Sequence, residues 1–136
     1  MYLIGIPLLL IPFAIYNMIA FLTPLNWTDT FLRIPMVSGE QWTATAEDML
    51  IALGIILLFV EIFKATRASS RRGVIDHMLS LLLFIVMLVE FLLVRVAATS
   101  TFFLLMLLEL VDVLGGFSIA SRAARRDVAI DEAVNP

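Results

Sequence analysis

Three carboxylic acids, Glu90, Glu109 and Asp112, lie inside long apolar runs, where a charged side chain is costly. The runs cover residues 74–96 and 100–121 and are joined by the short segment 97–99. An acid at the centre of a membrane-spanning helix costs on the order of 2.5–3.5 kcal/mol. Such residues mark proton or ion paths, or contacts with a compensating group. These acids are therefore the first candidates for a functional site.

Counting along the chain places the acids at similar depths. Glu90 lies nine residues before Thr99 and Glu109 ten residues after it. In an antiparallel helical hairpin both would sit roughly 14 Å below the turn. Asp112 follows Glu109 by three residues, so the two share a helical face. The pattern predicts a polar spine in the middle of the hairpin, which Asn17 in the first apolar run would join through an interhelical hydrogen bond.

The sequence leaves three explanations of these acids open. Protonated carboxyls can hydrogen-bond to one another or to backbone carbonyls and serve packing alone. They can instead line a path for protons or cations. They can also await a basic group, and Arg95 is the candidate counter-charge within the chain. One arginine cannot neutralise three acids, so this third explanation implies an assembly of chains.

Four apolar runs must position these residues. The chain has 136 residues, of which 62% are hydrophobic and 15% charged, with a mean hydropathy of +1.04. That composition lies outside the usual range of soluble domains. Runs of about 20 apolar residues can cross a bilayer as helices. We expect an all-α, four-helix transmembrane bundle with spans at about 3–22, 46–66, 74–96 and 100–121 and a cytoplasmic tail at 122–136. Pro7 and Pro12 should kink the first span or delay its regular start.

The basic residues predict the orientation of the bundle. Seven of the nine fall on one side: Lys64, Arg67, Arg71, Arg72, Arg122, Arg125 and Arg126. Arg33 and Arg95 fall on the other. The excess of Lys and Arg marks the cytoplasmic side, so both termini should face the cytoplasm. We expect the seven to contact lipid headgroups and the protein to lie in a membrane, the bacterial cytoplasmic (inner) membrane being the expected one.

Residues 23–44 form the one long connection, on the outer side. An apolar stretch at 31–37, a turn at Ser38-Gly39 and the segment 41–43 suggest a short hairpin lying on the membrane. Trp27 and Trp42 are of the type that settles in the headgroup layer, so we interpret both as interface anchors.

Three further residues receive structural interpretations. Glu61 lies three residues before Lys64, which suggests an ion pair at the membrane surface. Gly54 lies near the depth of the buried acids and would let a neighbouring backbone approach, or would simply pack. His77, the single histidine, would lie at the inner interface.

Several chemistries have no support in the sequence. There are no cysteines, which excludes disulfides and thiolate sites, and the net charge of −3 does not favour nucleic-acid binding. We expect no cofactor, no metal and no enzymatic activity. The expected function is a small non-enzymatic integral membrane protein, a structural or assembly subunit of a larger or homo-oligomeric complex. Its partners would be the lipid bilayer and other membrane subunits or further copies of itself. The alternative is a proton-coupled transporter or ion-conducting subunit that uses Glu90, Glu109 and Asp112.

Overall fold

The computed structural model describes residues 6–67 and 70–134, and these are mostly helical. The elements in chain order are α1 (Leu10–Leu22), β1 (Thr30–Pro35), β2 (Gln41–Thr45), α2 (Ala46–Arg67), α3 (Ser70–Leu93), a 3-10 turn (Arg95–Ala97) and α4 (Ser100–Val134). Three of these helices, α2, α3 and α4, are long and apolar enough to cross a membrane.

Helix α1 begins later than the sequence predicted. The expected span started near residue 3, but regular helix starts at Leu10 and covers 13 residues, and residues 3–5 lie outside the described part of the chain. Pro7 and Pro12 account for the late start, because proline lacks the N–H that a helix interior requires. Pro12 is accommodated in the first turn, where that N–H has no intrahelical partner. At about 1.5 Å per residue, α1 is about 20 Å long, short of a hydrocarbon core of about 30 Å.

The hairpin that the sequence suggested within residues 23–44 is present as a small sheet, so the all-α class describes the helices but not this segment. Strands β1 and β2 pair antiparallel as a two-stranded sheet. Gly39 supplies the turn, since its φ of 94° lies in the left-handed region that favours glycine. Strand β2 passes directly into α2, whose start is capped: the Thr45 hydroxyl accepts from Asp48 N–H at 3.2 Å and the Asp48 carboxylate accepts from Thr45 N–H at 2.9 Å.

The last two helices also differ in extent from the predicted spans. Helix α3 ends at Leu93, three residues before the predicted end, and the 3-10 turn takes up Arg95–Ala97. Helix α4 continues to Val134, so residues 122–134, predicted as a tail, prolong the helix. Alternating charged residues and alanines there are good helix formers, which explains the continuation.

The core lies where α4 packs between α2 and α3, with α1 and Trp27 against its hairpin end. "Hairpin end" here means the end of the bundle that carries the strands and the 3-10 turn. The buried aromatic Tyr16 ties this end together: its ring stacks on Trp27 at 4.7 Å, and its hydroxyl donates to Val96 O at 2.6 Å. Outward faces of α2, α3 and α4 carry exposed Leu, Ile, Val and Phe side chains. The fold therefore buries little apolar surface relative to what it exposes.

Candidate functional site: a buried acid cluster

Glu109 is the most enclosed acid of the described chain. It lies in α4, ten residues after Thr99, with 0% of its surface exposed. Neither carboxyl oxygen has a hydrogen-bond partner among the described residues. Buried polar groups are almost always paired, and an unpaired one costs about 1–3 kcal/mol. The Glu109 carboxyl is therefore either neutral and packed without a hydrogen-bond partner, or it binds a proton, an ion or another chain.

Asp112 lies one turn further along α4 and is 4% exposed. Its Oδ2 accepts a hydrogen bond of 3.0 Å from the Ser80 hydroxyl of α3. Ser80 is buried as well, so this bond joins two helices away from water. Asp112 and Glu109 also interact electrostatically, as their shared helical face leads one to expect.

A third acid, Glu61 of α2, lies near Glu109 and Asp112, although the sequence suggested that it lies at the membrane surface. Glu61 is 6% exposed and interacts electrostatically with both Glu109 and Asp112. Its Oε2 accepts from Leu8 N–H at 3.2 Å and lies 3.6 Å from Lys64 Nζ. The ion pair with Lys64 is present, but its acid belongs to the interior. We call Glu61, Glu109 and Asp112 the acid cluster.

The burial pattern of α2 explains why Glu61 points inward. The buried positions of α2 are Ala46, Leu50, Gly54, Leu58 and Glu61, which follow one another at intervals of four, four, four and three residues. That spacing marks one face of a helix. Glu61 therefore extends the buried stripe that contains Gly54, but the sequence did not mark this stripe because apolar residues surround α2 on all sides.

The chain between Pro7 and Leu9 reaches the acid cluster because α1 starts there. The first N–H groups of a helix have no intrahelical acceptor and carry a partial positive charge. Leu8 N–H, just before α1, meets the Glu61 carboxylate, an arrangement that suits a negative charge. A backbone amide and the Lys64 ammonium thus both stabilise the ionised form of Glu61.

Glu90 and Asn17 form a separate site closer to the hairpin end. Asn17 Nδ2 donates to Glu90 Oε2 at 3.3 Å and to Phe13 O at 3.2 Å. Glu90 is half-buried. Within residues 6–67 and 70–134, no hydrogen bond connects Glu90 with Glu109. The predicted spine is therefore divided into a pair, Asn17 and Glu90, and the acid cluster.

Arg95 lies in the 3-10 turn and is exposed. In the described part of the chain, Arg95 forms no ion pair with Glu90, Glu109 or Asp112. Lys64 and Glu61 do form one there. The structure therefore does not bring the predicted counter-charge to the acids, because the turn holds Arg95 at the bundle surface.

The predicted headgroup residues and anchors occupy varied places. Arg67 is exposed, with its guanidinium 4.5 Å from the Phe63 ring centre. Near the end of α4, three more arginines are exposed and share one helical face by their spacing: Arg122, Arg125 and Arg126. The side chains of Arg71 and Arg72 lie outside the described residues. Trp27 is half-buried against Tyr16, whereas Trp42 is exposed on β2. Contact with lipid stays a prediction for all of them.

Two more polar residues of α3 lie beside the acid cluster. His77 packs against Phe117 with ring centres 5.5 Å apart, and its Nδ1 is buried without a partner among the described residues. Asp76 interacts electrostatically with Glu61 and Asp112 and has one buried oxygen without such a partner. Asp76 therefore adds a fourth carboxyl to the surroundings of Glu61 and Asp112.

Carboxyls so arranged can hold and exchange protons. Among the described residues, no group of three or more His, Asp and Glu side chains is placed to hold a metal ion. Comparisons with protein-family models, curated proteins and solved structures find no match to this chain. What the site can do must therefore be argued from its own geometry.

Proposed function

We propose that this chain is a non-enzymatic integral membrane protein that acts as a structural or assembly subunit, with its termini on the cytoplasmic side. Three helices of spanning length and apolar composition support a membrane location. Their exposed apolar faces would meet lipid or neighbouring subunits. In this proposal the subunit is a helical bundle in which α1 packs beside the three long helices, and the β1–β2 hairpin lies at one end.

The observation that carries this proposal is the complete burial of Glu109. A transport pathway needs water to reach its acids from one side of the membrane, whereas Glu109 exposes 0% of its surface and Asp112 and Glu61 expose 4% and 6%. A closed acid cluster suits a structural role, in which the Ser80–Asp112 hydrogen bond joins α3 to α4 and the Leu8–Glu61 hydrogen bond joins the start of α1 to α2. Buried polar groups can specify one arrangement of helices over others.

Assembly is tested by co-isolation in native lipid. Two differently tagged copies are co-expressed, extracted with a membrane-solubilising polymer and isolated through one tag; copies mixed only after extraction are the control. We expect the second tag, or a second protein in fixed stoichiometry, to co-isolate only after co-expression. Particles that contain one chain and no partner would overturn the proposal.

Proton-coupled transport or ion conduction is the second candidate, and Glu109 favours it specifically. Both of its oxygens lack partners, while Glu61 nearby is balanced by Lys64 and Leu8 N–H. A carboxyl without a fixed partner, next to acids that have partners, is suited to release and regain a proton.

Carbodiimide labelling separates the two candidates. The reagent modifies protonated carboxyls in apolar surroundings, so we expect it to label Glu109 and to stop proton flux in reconstituted vesicles if the protein is a transporter. Glu109→Gln and Asp112→Asn should abolish that flux, and Glu90→Gln is the matched control outside the acid cluster. Unchanged flux in Glu109→Gln would eliminate the transport candidate.

A further inference from the structure

The β-hairpin has two chemically different faces. Its register pairs Leu32 with Ala44 and Ile34 with Trp42. Because side chains alternate between the faces of a sheet, these four apolar residues share one face. Arg33, Pro35, Gln41 and Thr43 form the opposite face. We call the first the apolar face and the second the polar face.

Among the described residues, the helices cover the apolar face only where the hairpin joins them. Ala44 is fully buried where the hairpin meets the helices, but Leu32, Ile34 and Trp42 are each about two-fifths exposed or more. The tip is more open still, with Met36 and Val37 exposed. Apolar side chains on one face of a small sheet require a surface to lie on, since exposed hydrophobic patches mark sites of contact.

The hairpin is fixed with respect to the membrane-spanning helices. Ala46 N–H donates to Asp29 O and Glu47 N–H to Trp27 O, both at 3.0 Å. No linker separates β2 from α2, because Thr45 ends the strand and Ala46 begins the helix. The hairpin is therefore held at the start of α2.

We infer that the apolar face of the hairpin lies on the outer-leaflet surface of the same bilayer that α2, α3 and α4 cross, with Trp42 at the headgroup layer. The inference rests on the proposed membrane location. The bilayer fits because it is continuous with the lipid-facing surface of the helices from which the hairpin emerges. Trp42 fits because amphipathic indole rings settle at this depth.

Two features limit how deep the hairpin lies. A two-stranded sheet has two edges whose backbone N–H and C=O groups need water or headgroups, so it cannot enter the hydrocarbon core. Glu40 at the tip is exposed and favours the polar layer. The apolar face therefore rests at the boundary of the acyl chains, and the polar face, with Arg33, points to water and phosphate groups.

Single-tryptophan variants in vesicles test this orientation. In each, Trp27→Phe removes the other native indole and keeps an aromatic ring against Tyr16. The first variant keeps Trp42; the second carries Trp42→Phe and Thr43→Trp on the polar face; the third carries Trp42→Phe and Phe59→Trp on the exposed side of α2. The first two variants are reconstituted in phosphatidylcholine that is brominated near the headgroup end of its acyl chains, the third in phosphatidylcholine that is brominated near the chain ends, and all three also in unbrominated lipid.

We expect bromine to quench Trp42 strongly and the indole of Thr43→Trp weakly. The Phe59→Trp variant reports whether α2 is in lipid at all, with bromine near the chain ends as its probe. If Phe59→Trp is not quenched and emits as a water-exposed indole, the membrane proposal fails. If it is quenched while Trp42 and Thr43→Trp respond alike, only the hairpin inference fails. A blue-shifted but unquenched Trp42 would mean that a protein surface covers the face, which also overturns it.

Cysteine labelling provides a second measurement that keeps both tryptophans. The chain has no cysteine, so Ile34→Cys and Thr43→Cys each introduce one thiol, on the apolar and polar faces respectively. A membrane-impermeant maleimide should modify Thr43→Cys several-fold faster than Ile34→Cys in vesicles. The difference should shrink when the lipid is replaced by a loosely bound detergent. Equal rates in vesicles would contradict the inference.

Discussion

Gly54 of α2 is the position where the close approach of two helices can be tested most directly. A Cβ atom built on Gly54 would lie 2.8 Å from Leu108 Cδ1 and 3.4 Å from Leu105 Cδ2, both in α4. The first distance is shorter than real Cβ contacts allow, so α4 side chains must move if any residue other than glycine occupies this site. Gly54 thus fixes the spacing of α2 and α4 two turns before Glu61.

The size of the effect depends on the side chain introduced. In Gly54→Ala, the Leu108 methyl can rotate away, and overpacking of about 1–3 kcal/mol is offset by about 1 kcal/mol of helix propensity. We expect a net loss of about 1 kcal/mol. Gly54→Leu adds three further carbon atoms that no rotation can accommodate, and we expect it to lower the free energy of unfolding by at least about 3 kcal/mol.

Reversible unfolding in mixed detergent micelles measures these differences. Gly115→Ala is the matched control: its Cβ would meet Ile62 at an ordinary 3.9 Å, so it should show the helix-propensity gain of about 1 kcal/mol without any overpacking. Leu108→Ala should recover part of the loss in Gly54→Leu by opening the same space. If Gly54→Leu is as stable as the native protein, or if Leu108→Ala adds its own loss without recovery, α2 and α4 do not approach as described.

Three further predictions concern polar contacts in the bundle, all measured by the same unfolding assay. Tyr16→Phe removes the hydroxyl that donates to Val96 O and also hydrogen-bonds the Thr99 hydroxyl, and we expect a loss of about 1–2 kcal/mol, whereas a change below about 0.3 kcal/mol would contradict those bonds. Ser80→Ala should cost about 0.6–1.7 kcal/mol, and nothing further in an Asp112→Ala background if the two side chains bond only each other. Lys64→Met leaves Glu61 without its ammonium partner; because Lys64 is 35% exposed, we expect about 1–2 kcal/mol rather than the 3–5 of a fully buried pair. Adding Glu61→Gln should restore most of that loss, and no restoration would show that the pair is not the cause.

The helices could be predicted from the sequence where hydropathy and caps agree. Helix α2 begins at the predicted residue because Thr45 and Asp48 supply the capping pattern next to an apolar run. The start of α1 was placed too early, since apolar content extends through Pro7 while regular backbone does not. The continuation of α4 past residue 121 was missed because hydropathy ends there, but helix propensity does not.

The site could be predicted only in part, because the position of a residue along its helix does not determine the direction in which its side chain points. Counting residues placed Glu90 and Glu109 at one depth and suggested one spine. Depth does not determine toward which helix a side chain points. Glu90 points toward Asn17 of α1, whereas Glu109 lies with Glu61 and Asp112 in the acid cluster. Glu61 was assigned by its neighbour Lys64 in the chain, although the buried stripe of α2 determines its direction.

The hydrogen bond from Leu8 N–H to Glu61 has a consequence for how the chain enters a membrane. Helix α1 precedes α2 in the chain, yet it is about 10 Å shorter than a hydrocarbon core, and the amide before it has no acceptor until α2 is made. Before α2 is made, the Leu8 amide would therefore lack an acceptor, and we expect α1 to enter the hydrocarbon slowly on its own. Synthesis of Glu61 would then supply that acceptor, so that the two helices partition into lipid as a unit.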